Sequence, residues 1–438
     1  MSRATPSVAG RPDPAVRRRA LRWSIVDGVF HALMLGACES YLGALAVELG
    51  FRDVALSLLA TVPILVGSLA QLGTPRLVRW LGGEKRVVVL GASLQALAHL
   101  GFLAIALTGF RSLGVLLAVK VVYWTSNAAI APAWNAWMAR LVPGPLRATF
   151  FARRNLLTHA GLLFAFLSAG FFLELEQLGS TLRGFAILHV VALVARAVSA
   201  FALARQHGFH SPPRPPARLG AVVRAGRWRV ALYMAALLFG AQLAIPFFTP
   251  YMLDELGLDL SEYALLSSAS LLAKGLAFPL WRKARGVLSP LASLAVAGVG
   301  VALVPLVWLV ATDIPTLVAA QVLGGIAWAG YDLTSLELLM GDAPEEAPVE
   351  FFALASSLAG LTQVAGSLLG GWALVDGAIY RDVFLYSAIG RGAALVFLVR
   401  LALVRDQLRR VPLAIRFLSA RPTTGAIAQP AVHEEPAE

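Results

Sequence analysis

The feature that most constrains this chain is a succession of apolar segments, each long enough to cross a lipid bilayer. The hydrocarbon core of a bilayer is about 30 Å thick and a helix rises about 1.5 Å per residue, so about 20 residues suffice. With 58% hydrophobic and 14% charged residues, a chain of 438 residues has too little polar surface for a soluble globule. The sequence therefore predicts an all-α polytopic membrane protein. We predict about twelve helices, at 24–50, 54–75, 87–108, 112–140, 150–174, 182–204, 230–253, 261–281, 287–311, 315–340, 351–375 and 383–404.

The basic residues predict the orientation of these segments. Most of the 37 Lys and Arg residues fall in alternate loops, which we therefore place on the cytoplasmic side together with both termini. The loop from Asp342 to Glu350 is acidic although it also falls inside, but acidic residues weigh little in this rule. We expect a multi-pass protein of the cell's inner (cytoplasmic) membrane. The net charge of +12 then marks loops that face the cytoplasm, and no nucleic-acid partner is expected.

A proline-rich stretch divides the chain into two halves of six segments each. Ser211–Pro216 reads SPPRPP, which cannot continue a helix and makes a semi-rigid connector. We predict five regions: a disordered basic tail at 1–22, a first six-helix half at 23–204, a cytoplasmic linker at 205–229, a second six-helix half at 230–405 and a disordered tail at 406–438.

Short motifs also connect the two halves. Glu337–Met340 followed by Phe351–Ala353 parallels Asn135–Met138 followed by Phe150–Ala152. Parallel repeats of this kind are a known transporter architecture, with the substrate site near the midplane between the halves.

The topology and several motifs resemble the major facilitator superfamily of secondary transporters. Gly73–Arg86 is similar to the family's loop signature, although Leu77 or Val78 stands where that signature has an acid. Lys120-Val-Val-Tyr-Trp124 lies where many members carry an arginine, two spacers and Gln-Gly. Pro132–Arg140 and Phe151–Asn155 are similar to a bacterial subgroup of undefined substrate, and Ala160–Phe166 lacks the Gly-Pro signature of antiporters. The resemblance implies twelve helices in two six-helix pseudo-repeats that move a solute by alternating access.

In that fold the first and fourth helices line the cavity. The fourth and tenth predicted helices carry rings and amides of the kind that bind organic solutes. The alternative is that these aromatic residues anchor helices at the membrane interfaces. The predicted cavity residues are Lys120, Tyr123, Asn127, Trp134, Asn135, Trp328 and Tyr331.

Asp27, His31 and Glu39 lie inside the first segment, where an unpaired charge costs several kcal/mol and so indicates function. We predict that Glu39 accepts a proton and that Lys120 is its partner; the alternative is a permanent buried ion pair. Asp27 and His31 are four residues apart and share a helical face, which predicts a proton relay on the inner side. The alternative for them is a helix cap and a packed histidine.

In the second half, Lys274, Asp332 and Glu337 all fall in the cytoplasmic half of their helices. We predict that they neutralise one another as a structural or gating pair, with substrate contact as the alternative. Arg391 is a lone base in the last segment, and it is predicted to join such a pair or gate, or to pack or reach toward the headgroups.

Enzyme signatures are missing: the sequence has no P-loop, no His-Glu-x-x-His and no Gly-x-Ser-x-Gly. The single cysteine, Cys38, excludes an internal disulfide and a thiolate cluster, so we expect no enzyme, cofactor or metal site. The predicted function is a monomeric secondary transporter in the lipid bilayer for a small organic solute, coupled to protons. An efflux antiporter for lipophilic compounds and a non-transporting receptor, scaffold or lipid scramblase remain alternatives.

Overall fold

A computed structural model describes residues 13–51, 53–173, 180–209, 219–225, 227–258 and 260–403, and within them all regular structure is helical, as predicted. The helices are α1 (Pro14–Ala37), α2 (Leu42–Glu48), α3 (Asp53–Ala70), α4 (Thr74–Leu81), α5 (Glu84–Thr108), α6 (Leu113–Leu141), α7 (Gly144–Leu173), α8 (Thr181–Arg205), α9 (Leu219–Ala225), α10 (Arg229–Gln242), α11 (Phe248–Pro250), α12 (Leu260–Ala284), α13 (Pro290–Val310), α14 (Ile314–Asp342), α15 (Pro348–Val375) and α16 (Tyr380–Leu403).

Ten stretches within these ranges are long and apolar enough to cross a membrane. They contain α1 with α2, α3 with α4, α5 to α8, α10 with α11, and α13 to α15. Two further long helices, α12 with 25 residues and α16 with 24, occupy the places of the eighth and twelfth predicted spans. Ten spans are thus supported by length and composition, and the number twelve stays a prediction.

The first helix begins earlier than predicted. Pro14 is its first residue, and the side chain of Asp13 caps it by accepting a hydrogen bond from the backbone N–H of Ala15 at 2.7 Å. An acidic cap followed by proline strongly favours the start of a helix. Proline has no backbone N–H, and the N–H at the first helical position has no partner within the helix, so nothing is lost there. The prediction of a disordered tail is therefore wrong for residues 14–22. Residues 1–12 and the predicted tail at 406–438 lie outside the described residues.

Two spans predicted as continuous helices are broken. The first leaves helical geometry at Cys38 and passes through a 3₁₀ turn at Glu39–Tyr41, where the hydroxyl of Ser40 donates to the carbonyl of Leu35 at 3.2 Å. The seventh breaks after α10 into a 3₁₀ turn that contains Pro246, which cannot donate a backbone hydrogen bond. A hydroxyl that satisfies a freed carbonyl makes such a break tolerable at membrane depth.

The loop predicted from the family signature is largely helical. The second span continues from α3 through a 3₁₀ turn into α4, and the chain reverses at Gly82 and Gly83. Their φ angles of 74° and 146° lie where glycine is favoured because it has no Cβ. The predicted linker also contains a helix, α9, while its proline-rich centre at Ser211–Pro216 lies outside the described residues.

The helices pack in the same order in each half. In the first half, α1 contacts α7 and α8, α5 contacts α6 and α8, and α3 contacts α6. In the second half, α10 contacts α15 and α16, α13 contacts α14 and α16, and α12 contacts α14. The halves meet where α7 lies on α12 and α14, and where α15 lies on α3, α4 and α6.

Small residues allow the closest helix contacts in the second half. A Cβ on Gly370 of α15 would collide with the backbone carbonyl of Leu243, and one on Gly366 would lie 2.5 Å from the carbonyl oxygen of Phe239. The neighbouring Gly371 has room, since a Cβ there would meet the ring of Phe247 at 3.7 Å. The packing of α15 on α10 therefore depends on particular glycines, as is common in membranes.

We predict that Gly370→Ala destabilises the protein while Gly371→Ala does not. Overpacking against a backbone carbonyl costs about 1–3 kcal/mol, whereas alanine in an unobstructed helical position gains up to about 1 kcal/mol. The thermal unfolding midpoints of both variants in detergent test this. Equal midpoints for the two variants would contradict the close contact.

Candidate functional site

Lys274 of α12 and Asp332 of α14 form an ion pair in the predicted cytoplasmic halves of their helices. Their Nζ and Oδ2 atoms are 2.7 Å apart, as the sequence predicted for these two residues. Each lies about 15 Å from the helix end on the predicted cytoplasmic side, at about 1.5 Å per residue. Their side chains are 25% and 37% exposed, so the pair borders open space.

His159 of α7 faces this pair from the other half. Its ring lies 5.0 Å from the ring of Phe278 on α12, and its Nδ1 is 3.0 Å from the carbonyl oxygen of Asn155. It interacts electrostatically with both Lys274 and Asp332. The sequence analysis missed His159, although a histidine within an apolar segment was the available signal.

Glu337 does not join this pair, so the predicted mutual neutralisation is wrong for this residue. Both of its carboxylate oxygens accept hydrogen bonds from Arg285, at 3.1 Å each. Arg285 also donates to the carbonyl of Leu288. Arg285 lies just after the end of α12 and outside the predicted apolar segment. The sequence analysis paired only charges within the segments, so it did not identify Arg285 as the partner of Glu337.

Arg391 is fully buried between α16, α13 and α10 instead of reaching toward headgroups. Its guanidinium donates to the carbonyl oxygen of Val301 at 2.9 Å and to that of Ala241 at 3.3 Å. Among the described residues no carboxylate lies within 4.0 Å of it, so the prediction of a charge pair is wrong and backbone oxygens take that place.

In the first half, Asp27 is the centre of a buried network. It accepts from Arg154 of α7 at 3.3 Å and from the hydroxyl of Ser199 of α8 at 2.7 Å, and Ser199 accepts in turn from Arg196 at 2.7 Å. One guanidinium group therefore contacts the carboxylate directly, and a second reaches it through the Ser199 hydroxyl. The nitrogen Nε2 of His31 has no hydrogen-bond partner within the described part of the chain, so the predicted relay from Asp27 to His31 is not formed in this state.

Glu39 lies in the 3₁₀ turn of the first span and is held by a tyrosine. The hydroxyl of Tyr123, which is fully buried, donates to its Oε2 at 2.5 Å. Lys120 attracts Glu39 electrostatically, but this pair is absent from the ion pairs within 4.0 Å in the described ranges. Lys120 instead lines a mainly apolar cavity of about 220 Å³ beside Leu42 and Phe102.

The remaining predicted cavity residues lie at different places. The ring of Trp134 stacks under the guanidinium of Arg154 at 4.8 Å, and Asn127 is half-buried on α6. Trp328 and Tyr331 contact each other edge to face at 5.3 Å. These four therefore do not form one ring of contacts.

Asn135 is the predicted residue that lines a cavity between the halves. This cavity has a volume of about 130 Å³ and is also lined by Met234, Ser335 and Ser356 of the second half. Asn135 and Ser335 lie about 9–11 Å from the ends of α6 and α14, at about 1.5 Å per residue. The cavity is therefore close to the predicted cytoplasmic side.

An ion pair joins the halves at that side. Arg79 of α4 donates to Glu350 of α15 at 3.2 Å, with side chains 29% and 22% exposed. Arg79 belongs to the stretch that resembles the family's loop signature, in which the acidic position is missing. In this protein the carboxylate comes from Glu350 of the other half. An ion pair between the halves therefore forms even though Leu77 or Val78 stands at the acidic position of the signature.

No protein-family model and no curated protein matches this sequence. Among solved structures, the human organic anion transporter MFSD10 (TETRAN) matches with a TM-score of 0.70 and 15% identity, over 88% of this chain and 100% of that one. FucP, a major facilitator superfamily transporter in the outward conformation, matches with a TM-score of 0.67 and 13% identity, over 87% and 99%. The chain thus shares the fold of these transporters and is a multi-pass membrane protein, as the sequence predicted. The twelve helices and two pseudo-repeats that the resemblance implies stay predictions.

We predict that Glu350→Gln loosens the contact between the halves. A partly exposed ion pair contributes about 1 kcal/mol at most, so the ratio of open to closed forms should rise up to about fivefold. The measurement is the rate at which a maleimide labels a cysteine introduced at Ser335, in a Cys38→Ser background. Glu345→Gln is the matched control, since Glu345 is exposed in the same loop; equal labelling rates in the two variants would argue against the contact as a closure.

Proposed function

We propose that this protein is a secondary active transporter that moves a small organic solute by alternating access, coupled to protons. The observation that carries the proposal is the Lys274–Asp332 pair, which lies about 15 Å along its helices from their predicted cytoplasmic ends, borders open space and has His159 of the other half as a neighbour. Charges at this depth are costly unless they serve a function, and a carboxylate that gains and loses a proton is what coupling requires.

The helix packing supports a twelve-helix architecture of two pseudo-repeats. The ten apolar stretches together with α12 and α16 give six spans in each half. The same order of helix contacts occurs in both halves, and the first and seventh spans are both broken. We assign the halves to 23–204 and 230–405, joined by a cytoplasmic linker at 205–229, with both termini in the cytoplasm. The distribution of basic residues supports an inner-membrane location.

The coupling step is the protonation of Asp332. A proton on its carboxylate removes the attraction to Lys274 and leaves the ammonium group free to attract another partner. Because both residues belong to the second half and His159 belongs to the first, this change alters the electrostatic attraction across the contact between α7 and α12. Protonation at one surface and release at the other then drive the alternation of access.

The charges inside the spans favour an anionic solute. Arg154 and Arg196 share the single carboxylate of Asp27, and Arg391 is held by carbonyl oxygens. This leaves an excess of positive charge among the described residues of the spans, which a carboxylate or another anionic group would offset. The named substrate class of MFSD10, an organic anion transporter, agrees with this assignment.

The two alternatives receive less support. An efflux antiporter for lipophilic compounds would not need an excess of buried positive charge. A receptor, scaffold or lipid scramblase has no use for a half-exposed carboxylate with a titratable neighbour across the interface. Both alternatives make different predictions in the experiment below.

We predict that Asp332→Asn abolishes proton-coupled transport, with at least a tenfold loss of solute-dependent proton flux. The measurement uses proteoliposomes that contain a pH-sensitive dye and a panel of organic anions, sugars, amino acids and cationic drugs. Asp376→Asn, the same change at an exposed position after α15, is the matched control and should leave the flux unchanged. The flux should be largest with organic anions.

The double variant Lys274→Gln/Asp332→Asn separates coupling from a structural role. If the pair is structural, removing both charges restores stability and also transport. If Asp332 carries the proton, stability returns but proton flux does not. Wild-type flux in Asp332→Asn would contradict the coupling role, and lipid scrambling without solute flux would favour the non-transporting alternative.

A further inference from the structure

Three side chains outside the predicted sites meet inside the first half. Cys38 follows α1, His99 lies on α5 and His189 lies on α8, and none of them is more than 3% exposed. One potential ligand atom from each lies within 4.8 Å of the other two. The two histidines lie about 12–14 Å from the helix ends at Thr108 and Thr181, well inside the membrane at about 1.5 Å per residue.

The two imidazoles face each other directly. Their Nδ1 atoms are 3.1 Å apart. Two neutral imidazoles at this distance share a single proton in one N–H···N hydrogen bond. With metal–nitrogen bonds of about 2.0–2.1 Å, the same separation corresponds to an angle of about 100° at a shared ion. The positions of the rings therefore suit neighbouring ligands of one metal ion as well as a hydrogen bond.

The surroundings do not satisfy this cluster. Phe102 stacks on His189 with ring centroids 5.1 Å apart, and Tyr123 lies edge-on to His99 at 5.3 Å. Within the described residues, Nε2 of His99 has no hydrogen-bond partner although the residue is 1% exposed. Buried polar atoms are normally paired, and such exceptions indicate a bound ion, a bound water or a functional group.

We propose that Cys38, His99 and His189 bind one transition-metal ion of the zinc type, through one ring nitrogen of each histidine and the thiolate of Cys38. Two imidazoles and one thiolate are a donor set that Zn²⁺ prefers. A tetrahedral site has donor separations shorter than 4.8 Å, so binding draws the three side chains slightly together. The thiol proton is released when the metal–sulfur bond forms, because the thiolate is the ligand.

A carboxylate lies beside the cluster and lowers the cost of placing a cation there. Glu39 follows Cys38 in the chain and accepts a hydrogen bond from Tyr123, whose ring contacts His99. The 220 Å³ cavity that Lys120 borders is also lined by Phe102, the ring that stacks on His189. That cavity therefore lies on the other side of one aromatic ring from the cluster.

The metal would fix the break in the first span. Cys38 is the residue at which α1 leaves helical geometry, while α5 and α8 pack tightly on each other. An ion that joins Cys38 to both helices therefore holds the broken segment against the rest of the first half. The site is separate from the Lys274–Asp332 pair, so it stands or falls independently of the proposed function.

The test uses the full-length protein in detergent, with any affinity tag removed and bound metal stripped by a chelator. Co²⁺ is the probe, because a tetrahedral thiolate site gives visible d–d bands and a sulfur-to-cobalt charge-transfer band. The expected result is one equivalent of Co²⁺ with both features, displaced by Zn²⁺, and a higher thermal midpoint on Zn²⁺ addition.

Variants identify the ligands. Cys38→Ser should lose the charge-transfer band, and His99→Gln and His189→Gln should each reduce Co²⁺ affinity at least tenfold. His159→Gln and His207→Gln, whose histidines lie elsewhere, should bind as wild type does. Three outcomes would overturn the assignment: no Co²⁺ bands in the wild type, d–d bands without the charge-transfer band in the wild type, or unchanged binding in Cys38→Ser. The first two are measured on the wild type and do not depend on whether a variant folds.

Discussion

Charges inside the spans are costly unless a partner offsets them, and the fold shows three ways of doing this. Carboxylates offset Arg154 and Lys274 directly. A tyrosine hydroxyl holds Glu39, and backbone carbonyls hold Arg391. The arrangement of the helices depends on these contacts, because each one joins two helices that are distant in the sequence. The pairs that border open space are the ones with room to change partners.

The two halves differ in how their charges are held. In the first half, Asp27 is enclosed by two guanidinium groups and a hydroxyl, and it is 4% exposed. In the second half, Asp332 has one partner and a side chain that is 37% exposed. Asp27 is thus enclosed by its donors, whereas Asp332 keeps one side toward open space. The coupling role proposed for Asp332 rests on this open position.

The sequence predicted the helical class, the positions of the long helices and the Lys274–Asp332 pair, because hydropathy and helix depth depend on local composition. It did not predict which side chains meet across helices. Glu337 pairs with Arg285 outside the apolar segment, Glu39 bonds to Tyr123 instead of Lys120, and Cys38, His99 and His189 come together from three helices. Helix rotation and the break at Cys38 decide these contacts, and a single sequence carries little information about either.

Arg391 has a consequence for how the protein responds to acid. One of its acceptors, Ala241, belongs to the last turn of α10, whose carbonyls carry partial negative charge because the helix ends there. Backbone oxygens do not take up protons over the physiological range, so this contact persists at a pH that protonates carboxylates. The joint of α10, α13 and α16 is therefore held at this point by groups that keep their charge state in acid.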